Sequence, residues 1–159
     1  MSSDFYQSQI LPYAGIIIKI CRAYTDKQED FEDYYQEVCL QIWRSHSNFR
    51  GDSDWSTWIY RLALNVCMTL LKARKKRPSH QNSTEIAQVA IENEAFSDEA
   101  LNELYTAIRK LSEVDRAIIL LYLEEKTYAE IGDIMGSNTS NIGVRIKRIK
   151  DKLKKLLNG

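Results

Sequence analysis

The sequence predicts an all-α protein with two small helical domains joined by a flexible acidic linker. Apolar residues recur at three- and four-residue steps along most of the chain, and no run alternates apolar and polar residues as a strand would. Proline occurs only at Pro12 and Pro78, and glycine is sparse. At 159 residues, of which 44% are hydrophobic, the chain is long enough to bury such cores.

The first predicted domain covers residues 1–77 and contains three helices. Helices are expected over residues 5–23 and 31–45, followed by a turn at residues 51–53 and a third helix that ends near Lys76. The apolar face expected for the third helix consists of Trp58, Leu62, Val66 and Leu70.

The linker is predicted at residues 78–98, because Pro78 and the turn-forming residues after it end the third helix. Five basic residues lie within 72–77, six acidic and no basic residues within 78–108, and seven basic residues and one acidic within 140–159. Two cationic segments with an acidic segment between them suggest two contacts on a polyanion. Two solvated helix ends account for the charge pattern equally well.

The second predicted domain covers residues 99–159, with helices at about 99–110, 113–124, 128–135 and 140–157. Ser112-x-x-Asp115 and Thr127-x-x-Glu130 fit the capping-box pattern, and Thr139 or Ser140 is expected to cap the last helix. A glycine-led turn joins a short helix to a longer basic helix, which is the helix-turn-helix plan.

The last helix has an inward apolar face, formed by Ile142, Ile146, Ile149, Leu153 and Leu156. The residues left facing outward near its start are therefore candidates for contact with base edges, and they are Ser140, Asn141, Gly143, Val144 and Lys147. Beside these residues, Arg145, Arg148 and Lys150 can contact the DNA phosphates. Gly143 either allows close approach to DNA or simply weakens the helix.

Metal, cofactor and redox chemistry are not expected. Cys21, Cys39 and Cys67 show no C-x-x-C spacing and lie among apolar neighbours, so they are predicted to be buried thiols of a reduced compartment. His46 and His80 lack ligand partners at the usual spacing.

Catalytic and membrane-spanning classes are also disfavoured. The chain has no phosphate-cradling glycine loop and no nucleophile with a plausible base, so no enzyme activity is predicted. The apolar run at residues 15–18 is far shorter than the roughly 20 residues that cross a membrane, which predicts a cytoplasmic protein without membrane insertion.

Several segments resemble those of bacterial RNA polymerase sigma factors of the extracytoplasmic-function (ECF) group of the sigma-70 family. Residues 30–44, with an acidic pair before Gln36-Glu37-Val38, resemble the polymerase-clamp-binding helix, and residues 48–53 and 58–65 resemble the rest of the sigma-two domain. Residues 111–113, 127–131 and 145–148 resemble the sigma-four domain. The resemblance covers about residues 8–77 and 99–157, in the family's order.

The resemblance implies a non-enzymatic adaptor that directs core RNA polymerase to promoters and helps to open the DNA. The first domain would bind polymerase and recognise and melt the minus-ten element, and the second would recognise the minus-thirty-five element. The implied partners are core polymerase, through the clamp of its largest subunit and its flap, promoter DNA, and a separate anti-sigma factor.

The resemblance also assigns roles to residues. Polymerase binding is implied for Asp33, Gln36, Glu37 and Gln41, which are otherwise ordinary residues of a helix surface. Minus-ten recognition, melting or phosphate contact is implied for Arg50, Asp52, Ser53, Trp55, Ser56, Arg61, Asn65, Lys72, Arg74, Lys75 and Arg77. Trp58 and Tyr60 lie in the same segment, but Trp58 fits the apolar face of its helix better and is expected in the core.

Two departures leave the minus-thirty-five sequence open. The family commonly has a basic or small polar residue where Gly143 and Val144 stand, and its proline-containing turn is replaced by residues 137–139. The main alternative function is a stand-alone helix-turn-helix regulator that binds DNA without polymerase. A further alternative is a helical interaction protein that is derived from a sigma factor but no longer acts in transcription initiation.

Overall fold

The computed structural model describes residues 1–76 and 99–158, and within these ranges the regular structure is entirely helical. The all-α prediction is confirmed, and the described residues belong to two compact units. The predicted linker at residues 78–98 and the neighbouring Arg77 lie outside the described residues. The predicted domain limits therefore stay a prediction.

The first unit begins with a broken helical stretch where a single helix over residues 5–23 was expected. Helix α1 (Ser3–Phe5) leads into a π-helical turn, a 3-10 turn and helix α2 (Ala14–Ala23). The Leu11 amide donates to the Tyr6 carbonyl, five residues back, and the next residue, Pro12, has no amide hydrogen to donate. The proline thus prevents a regular α-helix from continuing through this point.

Helices α3 (Gln28–Ser45) and α4 (Trp55–Lys76) complete the first unit, and both pack against α2 and against each other. Helix α3 starts three residues before the predicted position. Two acidic residues, Glu29 and Asp30, occupy its first turn, where the positive end of the helix dipole favours them.

The buried face of α4 differs from the predicted one. Trp58, Leu62, Val66 and Leu70 are only half-buried, whereas the buried residues of this helix are Ile59, Ala63, Leu64 and Cys67. The physical reason is that α4 carries a second apolar row one residue further along, and α2 and α3 pack on that row. Bulky Trp58 lies beside that row.

The second unit contains α5 (Glu99–Ile108), α6 (Glu113–Leu123), α7 (Tyr128–Met135) and α8 (Thr139–Asn158). These helices match the predicted ones to within two residues at their ends. The predicted inward face of α8 is confirmed, because Ile142, Ile146, Ile149 and Leu153 are buried and Leu156 is half-buried.

Side chains cap α6 and α7 at the predicted positions, and α7 has the full capping box. The Thr127 and Glu130 side chains each accept the other residue's backbone N–H, at 3.1 and 2.8 Å. Ser112 Oγ accepts the Asp115 N–H at 3.2 Å. Buried Arg116 donates to the carbonyls of Leu111 and Arg109, which orders the connection between α5 and α6.

The turn between α7 and α8 is a compact glycine turn. Gly136 adopts the left-handed conformation at φ 74°, and the Ser137 N–H then donates back to the Gly132 carbonyl at 2.9 Å. Asn138 caps α8, because its side-chain oxygen accepts the Asn141 N–H at 2.8 Å. The cap is therefore one residue before the expected Thr139 and two before the expected Ser140.

Candidate functional site

One side of α3 carries the four residues predicted to bind polymerase. Asp33 and Gln36 are exposed, and Glu37 and Gln41 are half-buried. Gln41 donates to the Glu37 carboxylate at 2.9 Å, which orders this acidic, hydrogen-bonding surface. The other side of α3 is buried through Phe31, Val38, Cys39 and Ile42. We call Asp33, Gln36, Glu37 and Gln41 the α3 polar strip.

An ion pair joins α3 to the end of α4. Arg74 Nη2 lies 2.8 Å from Asp30 Oδ2, and the two side chains are 45% and 18% exposed. Burial beside this pair raises the pKa of Tyr34 above its ordinary value. Arg74, which was assigned to DNA phosphates, is thus held on the side of α4 that faces α3.

The other predicted residues of α4 share an outward face. Helical spacing places Arg61, Asn65 and Lys72 along one side of the helix, where Asn65 and Lys72 are exposed and Arg61 is half-buried. Lys75 is exposed as well. Arg74 is on a different side, so it does not join this group.

The loop before α4 and the first two residues of that helix contain the remaining minus-ten candidates. Gly51 turns the chain with φ 81°, a conformation that favours glycine. Arg50 and Asp52 are exposed, and Ser53, Trp55 and Ser56 are half-buried. The loop therefore brings charged and hydrogen-bonding groups next to the start of the α4 face.

Three aromatic rings form a cluster at this loop. Trp55 and Trp58 stack with centroids 4.9 Å apart, and Phe49 packs edge-on against both, at 5.2 and 5.7 Å. Trp55 Nε1 donates to the Gln9 carbonyl at 3.0 Å, which ties the cluster to the N-terminal stretch. Phe49 was not predicted to belong to this cluster, because it lies between helices and follows no helical pattern.

The start of α8 presents a mainly polar face. Ser140, Asn141, Lys147 and Arg148 are exposed. Val144 is 59% exposed, the highest value among the exposed large hydrophobic side chains of the described residues. These residues occupy the position from which a helix-turn-helix contacts base edges.

Gly143 has a packing role that neither sequence interpretation included. A Cβ atom at this position would lie 3.3 Å from the Tyr128 ring. The missing side chain therefore lets Tyr128, at the start of α7, pack closely on α8. Tyr122 lies beside Tyr128, with ring centroids 6.5 Å apart, and the Lys150 ammonium is 4.4 Å from the Tyr122 ring centroid.

Arg145 is engaged within its own unit. Its Nη2 atom lies 2.9 Å from Asp115 Oδ1, with the two side chains 40% and 25% exposed. Asp115 is in the first turn of α6, so this pair links the start of α6 to α8. Arg145 and Arg74 thus both pair with a carboxylate of a neighbouring helix.

Comparison with known proteins identifies the family. Residues 10–77 match Sigma-70 region 2, and residues 101–153 match Sigma-70 region 4. The RNA polymerase sigma-H factor of Pseudomonas aeruginosa is 31% identical, over 96% of this chain and 82% of that protein. The ECF RNA polymerase sigma-E factor of Haemophilus influenzae is 30% identical, over 92% of this chain and 80% of that protein. The chain belongs to the ECF sigma factors of the sigma-70 family.

Another ECF sigma factor, SigG of Mycobacterium tuberculosis, is 26% identical over 89% of this chain, which spans only 46% of the length of that relative. Solved structures show the same fold. The sigma factor RpoE from Bartonella quintana, in complex with the anti-sigma factor NepR, superposes with a TM-score of 0.75 at 22% identity over 99% of this chain and 98% of that one. CnrH, in complex with the cytosolic domain of CnrY, superposes with a TM-score of 0.68 at 17% identity. The match covers 99% of this chain and 90% of that one.

The cysteines of this ECF sigma factor are free and buried, as expected. Burial raises the pKa of Cys39 to about 11, and the Sγ atoms of Cys21 and Cys67 lie 3.9 Å apart. Within residues 1–76 and 99–158, no group of three or more His, Cys, Asp or Glu could hold a metal ion. None of the helices in those ranges is long and apolar enough to span a bilayer.

Proposed function

We propose that this ECF sigma factor directs core RNA polymerase to specific promoters and assists DNA opening, as a non-enzymatic adaptor in the cytoplasm. The observation that carries the proposal is that matches to both sigma regions occur in one chain and each contains an exposed candidate surface. A stand-alone regulator would need only the second of these regions.

The α3 polar strip is the proposed contact with the clamp of the largest polymerase subunit. Its carboxylates and amides suit a basic, hydrogen-bonding partner helix, and the buried opposite side of α3 keeps the surface rigid. The second unit is proposed to contact the polymerase flap.

The loop before α4 and the outward face of α4 form the proposed minus-ten site. Opening a duplex costs stacking energy, which aromatic rings and a polar pocket for an extruded base can offset by roughly 1–3 kcal/mol per stacked base. Trp55 and the exposed Asn65 supply these two kinds of group. The remaining proposed contacts come from Arg50, Asp52, Ser53, Ser56, Arg61 and Lys72.

The start of α8 is the proposed reader of the minus-thirty-five element. Ser140, Asn141 and Lys147 can hydrogen-bond to base edges in the major groove, and Arg148 can contact phosphates. Arg145 can add a phosphate contact if it leaves Asp115. We also propose regulation by a separate anti-sigma factor, because the similar RpoE was solved with one.

Run-off transcription from a library of randomised promoters tests the proposal. Core polymerase is assayed with and without the protein, and new start sites are expected only when it is present. Charge reversal in the strip, Glu37→Lys, should abolish these starts, and Asp26→Lys, an exposed charge reversal outside α3, should not. Specific DNA binding without any initiation would instead support the stand-alone regulator.

A further inference from the structure

Val144 combines high exposure with a central place on the proposed DNA-reading surface. It is the sixth residue of α8 and is 59% exposed. Ser140 and Asn141 lie one turn before it and Lys147 and Arg148 one turn after it, and all four are exposed and polar. An apolar side chain is therefore surrounded by groups suited to hydrogen bonding.

The residue before Val144 contributes no side chain to this surface. Gly143 has no side chain, and the space next to it is occupied by the Tyr128 ring. Gly143 itself therefore adds no side chain between Val144 and an approaching surface. The arrangement favours close contact of the valine methyl groups with whatever α8 meets.

We propose that Val144 is a specificity-determining residue that contacts the C5-methyl group of a thymine in the minus-thirty-five element. A valine side chain has no hydrogen-bond donor or acceptor, so it cannot read a base edge by hydrogen bonding. Among the four bases, only thymine presents a methyl group in the major groove. The inference rests on the proposed promoter-binding function and adds the base that this position selects.

Deoxyuridine substitution tests the contact, because it removes the thymine methyl group and preserves base pairing. Each thymine of a minus-thirty-five element found in the promoter library is replaced in turn by deoxyuridine, on either strand. Initiation at limiting protein is then compared for wild type, Val144→Ala and Val114→Ala in holoenzyme. Val114 is an exposed valine on α6, outside the α8 face, and serves as the matched control.

One deoxyuridine position should weaken wild-type initiation about three- to fivefold, as expected for loss of one buried methyl contact. The same replacement should have a clearly smaller effect with Val144→Ala, whose single methyl group reaches less far, and the full effect with Val114→Ala. If every deoxyuridine replacement affects wild type and Val144→Ala equally, the inference is overturned while the proposed function stands. If wild type initiates at no promoter, both are overturned.

Discussion

Gly132 in α7 lies so close to Ser137 that a Cβ atom added to the glycine would be 2.5 Å from the serine carbonyl oxygen. The Ser137 N–H donates to the carbonyl of the same glycine at 2.9 Å. The turn of the helix-turn-helix therefore closes directly on the backbone of its first helix. This contact fixes where α8 starts.

Gly132→Ala should destabilise the second unit by about 1–3 kcal/mol, because backbone must move to admit the methyl group. Urea unfolding of the full-length protein, followed by circular dichroism, measures the loss. Gly15→Ala is the control, since nothing lies within 4 Å of the added atom in α2, and it should be neutral or stabilising. Equal stability of Gly132→Ala and wild type would contradict the close approach.

Asp115→Asn should increase the affinity of the protein for duplex DNA at low salt. Removing the carboxylate charge releases Arg145 for a phosphate, and one added phosphate contact steepens the dependence of log K on log salt by about 0.9. Stability should fall by less than about 1 kcal/mol, because the pair is partly exposed. Fluorescence anisotropy across a salt series measures both the affinity and the slope.

The matched test is the double variant Asp115→Asn with Arg145→Gln. It should lose the added affinity and return to the shallower salt slope. An increase that persists without Arg145 would show that the effect comes from Asp115 alone.

Asn65→Ala should reduce initiation from duplex promoters about tenfold, through loss of contact with an unstacked base. The residue is exposed, so the folded structure should be unaffected. Glu29→Ala, an exposed change on α3 and outside the proposed minus-ten site, is the control and should retain wild-type activity. Equal activity of the Asn65 and Glu29 variants would remove Asn65 from the site.

Glu130 predicts a pH dependence of stability in the second unit. The hydrogen bond from the Thr127 N–H lowers the pKa of this carboxyl below its ordinary value of 4.5. Its stabilising contribution is therefore complete above pH 4.5 and is lost as the pH falls through the lowered pKa. Thermal unfolding should show a smaller acid-induced loss for Glu130→Gln, and identical pH profiles would contradict the capping contribution.

The sequence predicted best where one long helix has a single apolar face. The repeat of Ile142, Ile146 and Ile149 identified the buried face of α8, because an amphipathic helix of 20 residues carries a strong periodic signal. The same reasoning misplaced the buried face of α4, because that helix carries two apolar rows one residue apart and the buried row contains Ile59, Ala63 and Cys67.

Contacts between distant residues could not be predicted from spacing. Asp115 and Arg145 are 30 residues apart, and Asp30 and Arg74 are 44 apart, so only the folded chain brings each pair together. The role of Gly143 likewise depends on the Tyr128 ring of another helix. Which residues are candidates could be read from the sequence, but which of their charges are already paired could not.

Permanganate footprinting of a promoter obtained from the library tests the central claim most directly, because permanganate oxidises thymines that have left the duplex. With core polymerase and this protein together, thymines upstream of the start site should become reactive, and neither component alone should have that effect. Promoter protection by the protein alone, with no reactive thymines when polymerase is added, would contradict the account.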